Sequence, residues 1–532
     1  MMNTLLRAAF ALVLLAGPGL VHADDDAKRC TYLDVADLPI RYTGQGLVPA
    51  VDGTINGTPA VMLVDTGAPQ TALTMNGATR RDLGLFMTGR WIEGIGGGSR
   101  LYTTRLKDFS VGHARSARHM ELNVIGSTSF TPAFDAILGA PFLLQMDLEL
   151  DLRAKRMKFY RPRDCDKTPL LLWKEPTIVL PFEHSPDSSP NPHFTVMVNG
   201  KEMDAVIDSG SHRSVMMLAA AKRAGIDVNG PGAVRMGDVG GVGTDRAAYW
   251  IAPVKTVQFG DETIRNVEIG VVDAQGASDT DLLLGQDFLR AHRVLFAMSQ
   301  EKLYIAYLGG DVFTRGTGLE PWMRAEADAG NADAEYALAT IYGKGRGVAR
   351  DPLQADLWLK MAAERGQPNA NLLLGRRQML AGHLDTAIPQ LRRALDQLPA
   401  DRLGPLWLYI ARVRHGEADL ARTELEAALK QQKEDDWPAP IADFYLGKTT
   451  AAHLLDEAGK EAKLARARTC MAEAYMAEWH DARGEAAEAG ALRATVRTNC
   501  APAPGAKPAL APPPSATPLP TGGAAPSGGV TP

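Results

Sequence analysis

Much of the first half of this chain is written twice. Asn56-Gly57, the apolar run Ala60–Val64 and then Asp65-Thr66-Gly67-Ala68 return as Asn199-Gly200, the run Met203–Ile207 and Asp208-Ser209-Gly210-Ser211, 143 residues from aspartate to aspartate. At nearly the same offset, Ile137-Leu138-Gly139 is answered by Leu283-Leu284-Gly285, and Pro141-Phe142-Leu143 by Asp287-Phe288-Leu289. Each copy closes on a strand-like stretch, Met157–Tyr160 and Lys302–Ile305. Within the copies, short apolar runs with frequent β-branched residues, such as Val61–Val64 and Phe194–Val198, are broken by Gly, Pro, Asn and Asp, the punctuation of strands and turns. Two copies of one supersecondary plan should pack as two similar lobes. The region from Cys30 to Leu308 is therefore expected to be all-β, with lobes over residues 30–165 and 166–308.

Glycine is dense between Gly309 and Gly318, which marks a domain boundary, and from Leu319 to about Asn499 the text changes to Ala, Leu, Glu and Arg at helical spacing. A length of 532 residues also exceeds what one hydrophobic core usually covers. The helical region repeats as well: Ala329-Gly330-Asn331-Ala332-Asp333-Ala334 is echoed 36 residues later by Arg365-Gly366-Gln367-Pro368-Asn369-Ala370. Between them lie Tyr342-Gly343, Gly345, Gly347-Val348, Asp351-Pro352, Ala355, Trp358 and Ala362-Ala363, a pattern that resembles a Sel1-like repeat, a relative of the tetratricopeptide repeat. Ala387–Leu398 and Leu420–Leu429 read as helices of looser tetratricopeptide pairs. Helix pairs at such a period stack into a solenoid, expected here over residues 319–500, with a protein partner on its surface. Residues 501–532 carry ten prolines among Ala, Gly, Ser and Thr and have too little apolar surface to order themselves.

Residues 1–23 have the parts of a secretory signal: Arg7 in a short polar start, the apolar run Ala8–Ala16, and Val21-His22-Ala23 before Asp24-Asp25-Asp26. The apolar run is short for a hydrocarbon core that needs roughly 20 residues, so cleavage after Ala23 is expected rather than a membrane anchor. No later stretch is apolar enough to span. An exported chain is expected, periplasmic if the host has two membranes and secreted otherwise. In such a compartment the four cysteines, Cys30, Cys165, Cys470 and Cys500, favour disulfides over metal ligation or free thiols. Three connectivities are possible. Cys30 and Cys165 bracket one lobe while Cys470 and Cys500 flank a helical hairpin turning near Gly484, which favours those two bonds.

Charge excludes one class of partner: a formal net charge of -5 with 22% charged residues leaves no basic excess for nucleic acid. The eleven histidines form no HExxH or His-rich cluster for a zinc hydrolase, and Gly94-Ile95-Gly96-Gly97-Gly98 has neither the GK[ST] ending nor the strand-to-helix setting of a phosphate cradle. The motifs that remain are Asp65-Thr66-Gly67 and Asp208-Ser209-Gly210. Each follows an apolar strand and an Asn-Gly turn, and each is followed 74 and 77 residues later by two apolar residues and a glycine.

Over Cys30 to Leu308 this pattern resembles the retropepsin-type aspartic proteases, in a fused two-copy form comparable to the bilobal pepsin arrangement. The resemblance implies that Asp65 and Asp208 are the catalytic pair where the lobes meet. It gives bracing roles to Thr66, Gly67, Ser209 and Gly210 and to the segments Ile137, Leu138, Gly139 and Leu283, Leu284, Gly285. It also places flap hairpins at the glycine-rich stretches Gly94, Gly96, Gly97, Gly98 and Gly237, Gly240, Gly241, Gly243, where a mobile lid would close over an extended peptide. Glycine after the hydroxyl residue is expected to let the backbone turn tightly. Two like charges about 3 Å apart cannot both ionise cheaply, so such a pair holds one proton and serves as acid and base together, without metal, cofactor or covalent intermediate. Pro69 and His212-Arg213 depart from the small or polar residues usual at those places, which bears on pocket shape more than on the pair. The implied activity is endopeptidase action on a peptide or protein substrate. The alternatives are a peptide-binding platform without turnover, or an envelope scaffold in which the solenoid is the main element.

Overall fold

In a computed structural model, residues 30–500 are described apart from 45, 116–118, 130–131, 166–167, 171, 186–188, 275–279, 314–318, 399–400, 431–436 and 463. The expected signal peptide and the Pro-rich tail lie outside the described residues.

The two copies fold to the same core. In the first, Val48–Ile55 turns through Asn56 and Gly57 into Thr58–Val64; in the second, Ser189–Val198 turns through Asn199 and Gly200 into Lys201–Ile207. Both turn residues are left-handed, at φ 51° and 74° in one copy and 50° and 75° in the other, the conformation that Asn-Gly tolerates best in a two-residue hairpin. Thr58–Val64 and Lys201–Ile207 then share one burial sequence, two exposed residues followed by a strand that ends buried on both faces. A late segment threads beside each: Ala136–Leu138 runs parallel to Thr58–Val64 and antiparallel to Ala72–Thr74, and Leu282–Leu284 runs parallel to Lys201–Ile207 and antiparallel to Val215–Met217. Ile137 pairs with Leu63 and Leu283 with Val206, the same register in each copy. Met62, Val64 and Leu138, with Ala205, Leu282 and Leu284, are fully enclosed in the apolar core. Burying a side chain of the Val, Leu or Met kind contributes roughly 1.5–3 kcal/mol, which fixes this register against a slip that would turn the apolar set outward.

A third sheet joins the copies. Its six strands run Thr31–Pro39, Arg156–Arg163, Asp147–Asp151 from the first copy, then His292–Ala297, Lys302–Tyr307, Thr177–Pro181 from the second. At the central antiparallel pair, Glu149 faces Leu295, its own counterpart at the offset that separates Gly139 from Gly285, while Leu148 faces Phe296 and Leu150 faces Val294. A residue paired with its own repeat mate marks a local twofold axis. The two strand-like closing stretches seen in the sequence lie in the strands that flank this central pair, one on each side. The Cys30–Cys165 disulfide ties its outer edge.

Eleven helices follow among the described residues. Contacts divide the chain into two compact units after Gln367, so the helices Pro321–Asp328, Ala332–Lys344 and Pro352–Glu364 pack with the β region. The 36-residue echo has a physical basis: Gly330 and Gly366 sit in matching left-handed turns at φ 86° and 85°. The helix starts are capped by side chains, Asn331 accepting from the Asp333 and Ala334 amides and Asp351 from those of Leu353 and Gln354. In the second unit eight helices, from Pro368–Leu380 to Ala486–Asn499, each pack on their neighbours in sequence, consistent with a solenoid-like stack. Trp407, Tyr409, Ile410, Ile441, Tyr445 and Met476 form its core. Cys470 and Cys500 are bonded across its last two helices, which turn at Gly484. Among the described residues no helix is long and apolar enough to cross a membrane.

Candidate active site

Each apolar strand delivers its aspartate onto a short loop at the strand's C-terminal end, and the two loops lock reciprocally. Thr66 Oγ1 donates to the Ile207 carbonyl at 2.7 Å and accepts from the Ser209 amide at 3.0 Å; Ser209 Oγ donates to the Val64 carbonyl at 2.7 Å and accepts from the Thr66 amide at 3.0 Å. Both hydroxyl residues are fully buried. The hydroxyl is needed because it alone offers a donor and an acceptor on one short side chain.

The lock sets the two carboxyls against each other. Asp65 Oδ1 accepts from the Gly67 and Ala68 amides at 3.1 and 2.9 Å, and Asp208 Oδ1 from the Gly210 and Ser211 amides at 2.9 and 3.1 Å. The carboxyls also hydrogen-bond one another. A Cβ on Gly67 would lie 2.3 Å from Asp208 Cγ, and one on Gly210 would lie 2.3 Å from Asp65 Cγ. Neither glycine has a positive φ. The expectation of a tight turn is therefore replaced by a different cause: glycine is required because the opposite carboxyl occupies the space of a side chain.

The late segments hold the loops from outside. The Asp65 amide donates to the Leu138 carbonyl at 3.1 Å and the Ala140 amide to Ala68 at 2.9 Å; in the second copy Asp208 donates to Leu284 at 2.9 Å and Gln286 to Ser211 at 2.9 Å. The Gly139 amide meets Thr71 Oγ1 at 3.1 Å and the Gly285 amide meets Ser214 Oγ at 3.0 Å. Side chains at Gly139 or Gly285 would collide with the Gln70 or Arg213 carbonyl at 2.4 and 2.5 Å. Thr71 and Ser214 keep the 143-residue offset and were legible by extending the repeat. Two further residues had no such signal: Asn191 Nδ2 donates to the Thr66 carbonyl at 2.5 Å, and Gln286 Nε2 to the Ser209 carbonyl at 3.1 Å. Equivalent carbonyls are met by unrelated side chains.

Burial, then the Asp208 charge, then the hydrogen bond that the protonated Asp65 donates to Asp208 hold Asp65 well above the usual carboxylate range. Burial also raises Asp208, opposed by its bond to Asp65 and by the Ser211 and Gly210 amides. The pair therefore retains a shared proton into the range where an exposed carboxylate would be ionised. His212 is half-buried and hydrogen-bonded to the Gly46 backbone. Burial, with the charges of Arg213 and Arg290, lowers it to about 4, so it is neutral beside the pair above that pH.

The two glycine-rich stretches both form hairpins. Phe86–Gly94 and Gly97–Leu106 turn through Ile95 and Gly96; Val234–Val239 and Ala247–Phe259 are joined by residues 240–246. Their tips touch: the Gly96 amide donates to Val242 at 2.9 Å and the Asp245 amide to Gly96 at 2.8 Å. The second tip also meets the segment beyond Met120–Ile125, with Gly243 donating to Ser127 at 3.1 Å and Ser129 to Gly241 at 3.0 Å. Close approach explains four of the glycines, since a Cβ at Gly94, Gly96, Gly240 or Gly243 would fall within 2.8 Å of Val242 or its carbonyl, Ser129 Oγ, or the Gly96 carbonyl. Gly97, Gly237 and Gly243 have positive φ. Gly98 faces Glu93 and Trp91, and Gly241 faces Ile95. Ile92 and Val242 rest on the same apolar cluster as Ala68 of the Asp65 loop. A separate groove of about 610 Å³, lined by Arg41, Arg80, Arg81 and Asp135, lies at the start of Thr58–Val64, the end remote from Asp65.

Residues 51–145 and 194–291 each match the family described as "gag-polyprotein putative aspartyl protease". Each lobe thus carries one match to an aspartyl protease family. Each match covers much of one lobe of the fused pair and leaves out the shared six-stranded sheet and the helices from Pro321 onward. Among solved structures, the aspartic proteinase from Irpex lacteus matches with a TM-score of 0.35 at 14% identity, covering 53% of this chain and 99% of that one. Basic 7S globulin from soybean matches with a TM-score of 0.31 at 9% identity, covering 52% of this chain and 97% of that one. No curated protein matches the sequence.

Proposed function

We propose that this chain is an exported aspartic endopeptidase whose catalytic pair is Asp65 and Asp208. The observation that carries the reading is the mutual hydrogen bond of two carboxyls, each fed by two backbone amides and locked by one reciprocal Thr66–Ser209 exchange. In the reaction the ionised carboxylate takes a proton from an attacking water while the protonated one donates to the scissile carbonyl oxygen. Collapse of the tetrahedral species breaks the C–N bond and returns a proton to the departing amine. The two hairpins act as covers that part to admit an extended peptide and close to exclude bulk water. The two disulfides support an oxidising compartment, periplasmic or extracellular. The helical repeats recruit a protein partner or the substrate.

The test incubates the mature chain and its Asp65→Asn and Asp208→Asn variants with a diverse mixture of unfolded peptides from pH 3 to 8, with cleavage read by mass spectrometry. The parent is expected to cut and to be blocked by a statine-type mimic of the tetrahedral species, and both variants are expected to be inert while folded. Cleavage by either variant sinks the dyad mechanism, and silence of all three across the range favours a peptide-binding platform.

A further inference from the structure

We propose that the corner where the helical segment begins, Glu320-Pro321-Trp322, is a positioning element for the Asp208 loop. Trp322 lies against the Arg290 guanidinium, with 3.4 Å from the guanidinium carbon to the ring centroid, and Tyr42 lies near the same group at 5.1 Å. Arg290 is thereby held between aromatic rings, where a cation is attracted to the ring faces. Its Nη2 donates to Gln286 Oε1 at 3.0 Å, and Gln286 Nε2 donates to the Ser209 carbonyl at 3.1 Å. Gln286 is fully buried, so this relay is strengthened by its low-dielectric surroundings. It ends on the serine whose hydroxyl forms half of the reciprocal lock.

A second line runs through the same corner. Glu320 accepts from Trp322 Nε1 at 2.5 Å and from Arg213 Nη2 at 3.4 Å. The Arg213 carbonyl in turn accepts from Ser211 Oγ at 2.7 Å, and the Ser211 amide is one of the two that feed Asp208. The helices that follow hold the facing loop of the first lobe: Asp333 accepts from Thr43 Oγ1 and the Gly44 amide at 2.9 and 2.8 Å, and Asn331 donates to the Tyr42 carbonyl at 3.0 Å. That loop supplies the Gly46 backbone to His212. The arrangement has no counterpart in the first repeat, where Ala140 and Leu144 stand at the positions of Gln286 and Arg290. The Asp65 loop is braced without the helical corner, and the Asp208 loop leans on it.

This inference rests on the peptidase reading for its kinetic arm but not for its structural one. In the full chain, Trp322→Ala is expected to lower kcat about ten- to a hundredfold with KM within about twofold, the signature of a displaced group rather than lost binding. Amide exchange over residues 207–215 is expected to quicken about tenfold relative to residues 64–72, and Trp322→Phe to restore both. A folded Trp322→Ala protein whose exchange over 207–215 is unchanged, or rises equally over 64–72, overturns the proposal. If that variant does not fold, Glu320→Gln is read on the same two segments, with faster exchange confined to 207–215 expected and no change overturning the idea. A parent that cleaves no peptide refutes the peptidase reading and leaves the exchange comparison to decide.

Discussion

At positions 67 and 210 the residue is chosen by the opposite lobe. With a Cβ 2.3 Å from a carboxyl carbon, Gly67→Ala must push Asp208 away or shift its own loop. Such overpacking costs about 1–3 kcal/mol. It also separates the carboxyls, so turnover of any cleaved peptide should fall at least a hundredfold, while a denaturant midpoint shows the modest stability loss of a chain that still folds. The aspartates have the opposite relation to stability. The Asp65 pKa is raised on folding, so the folded state holds a proton that the unfolded state releases, and stability is lost as pH rises from the ordinary carboxylate value through the folded one. Asp65→Asn removes that cost and the repulsion with Asp208. It should therefore unfold at higher denaturant than the parent at pH 7.5, with the gap closing near pH 3.5. An equal gap at both pH values would mean that the pair carries no shared proton.

The hairpin tips are held by main-chain bonds, so their glycines act on the closed state. Gly243 sits at φ 97° with a virtual Cβ 2.0 Å from the Gly96 carbonyl, and Gly243→Ala should part the tips. Exchange at residues 95–97 should rise and KM with it, whereas an unchanged KM alongside faster exchange would show that the covers do not hold substrate. These elements differ in how far the sequence disclosed them. The Asn-Gly turns, the apolar strands and the Asp-Thr-Gly and Asp-Ser-Gly loops were legible because each is specified by adjacent residues and then repeated. The pairing of Glu149 with Leu295 was not, because strand partners far apart in sequence leave only a common apolar alternation. Asn191 and Gln286 were hidden for a sharper reason: they meet equivalent carbonyls from non-equivalent places, so the repeat that exposed the aspartates could not expose their supports.

In the molecule as a whole, duplication supplies both halves of the site and the six-stranded sheet makes them one body, its central pair drawn from both copies. The second lobe could therefore diverge, replacing Pro141 by Asp287 and Leu144 by Arg290 at matched positions while the lock between the loops stayed symmetric. The disulfides reinforce this plan unequally. Cys30–Cys165 closes 135 residues around the first lobe, and Cys470–Cys500 closes 30 within the helical unit. If the bonds act by restricting the unfolded chain, each removal costs on the order of 2–5 kcal/mol, and the longer loop loses about 1 kcal/mol more than the shorter. Replacing each cysteine pair by serine and following urea unfolding of the two units by separate tryptophan probes, Trp173 and Trp407, should give that order. The reverse order would place the stabilisation in the folded lobe's own packing, and the duplicated sheet would then hold the site together without its covalent edge.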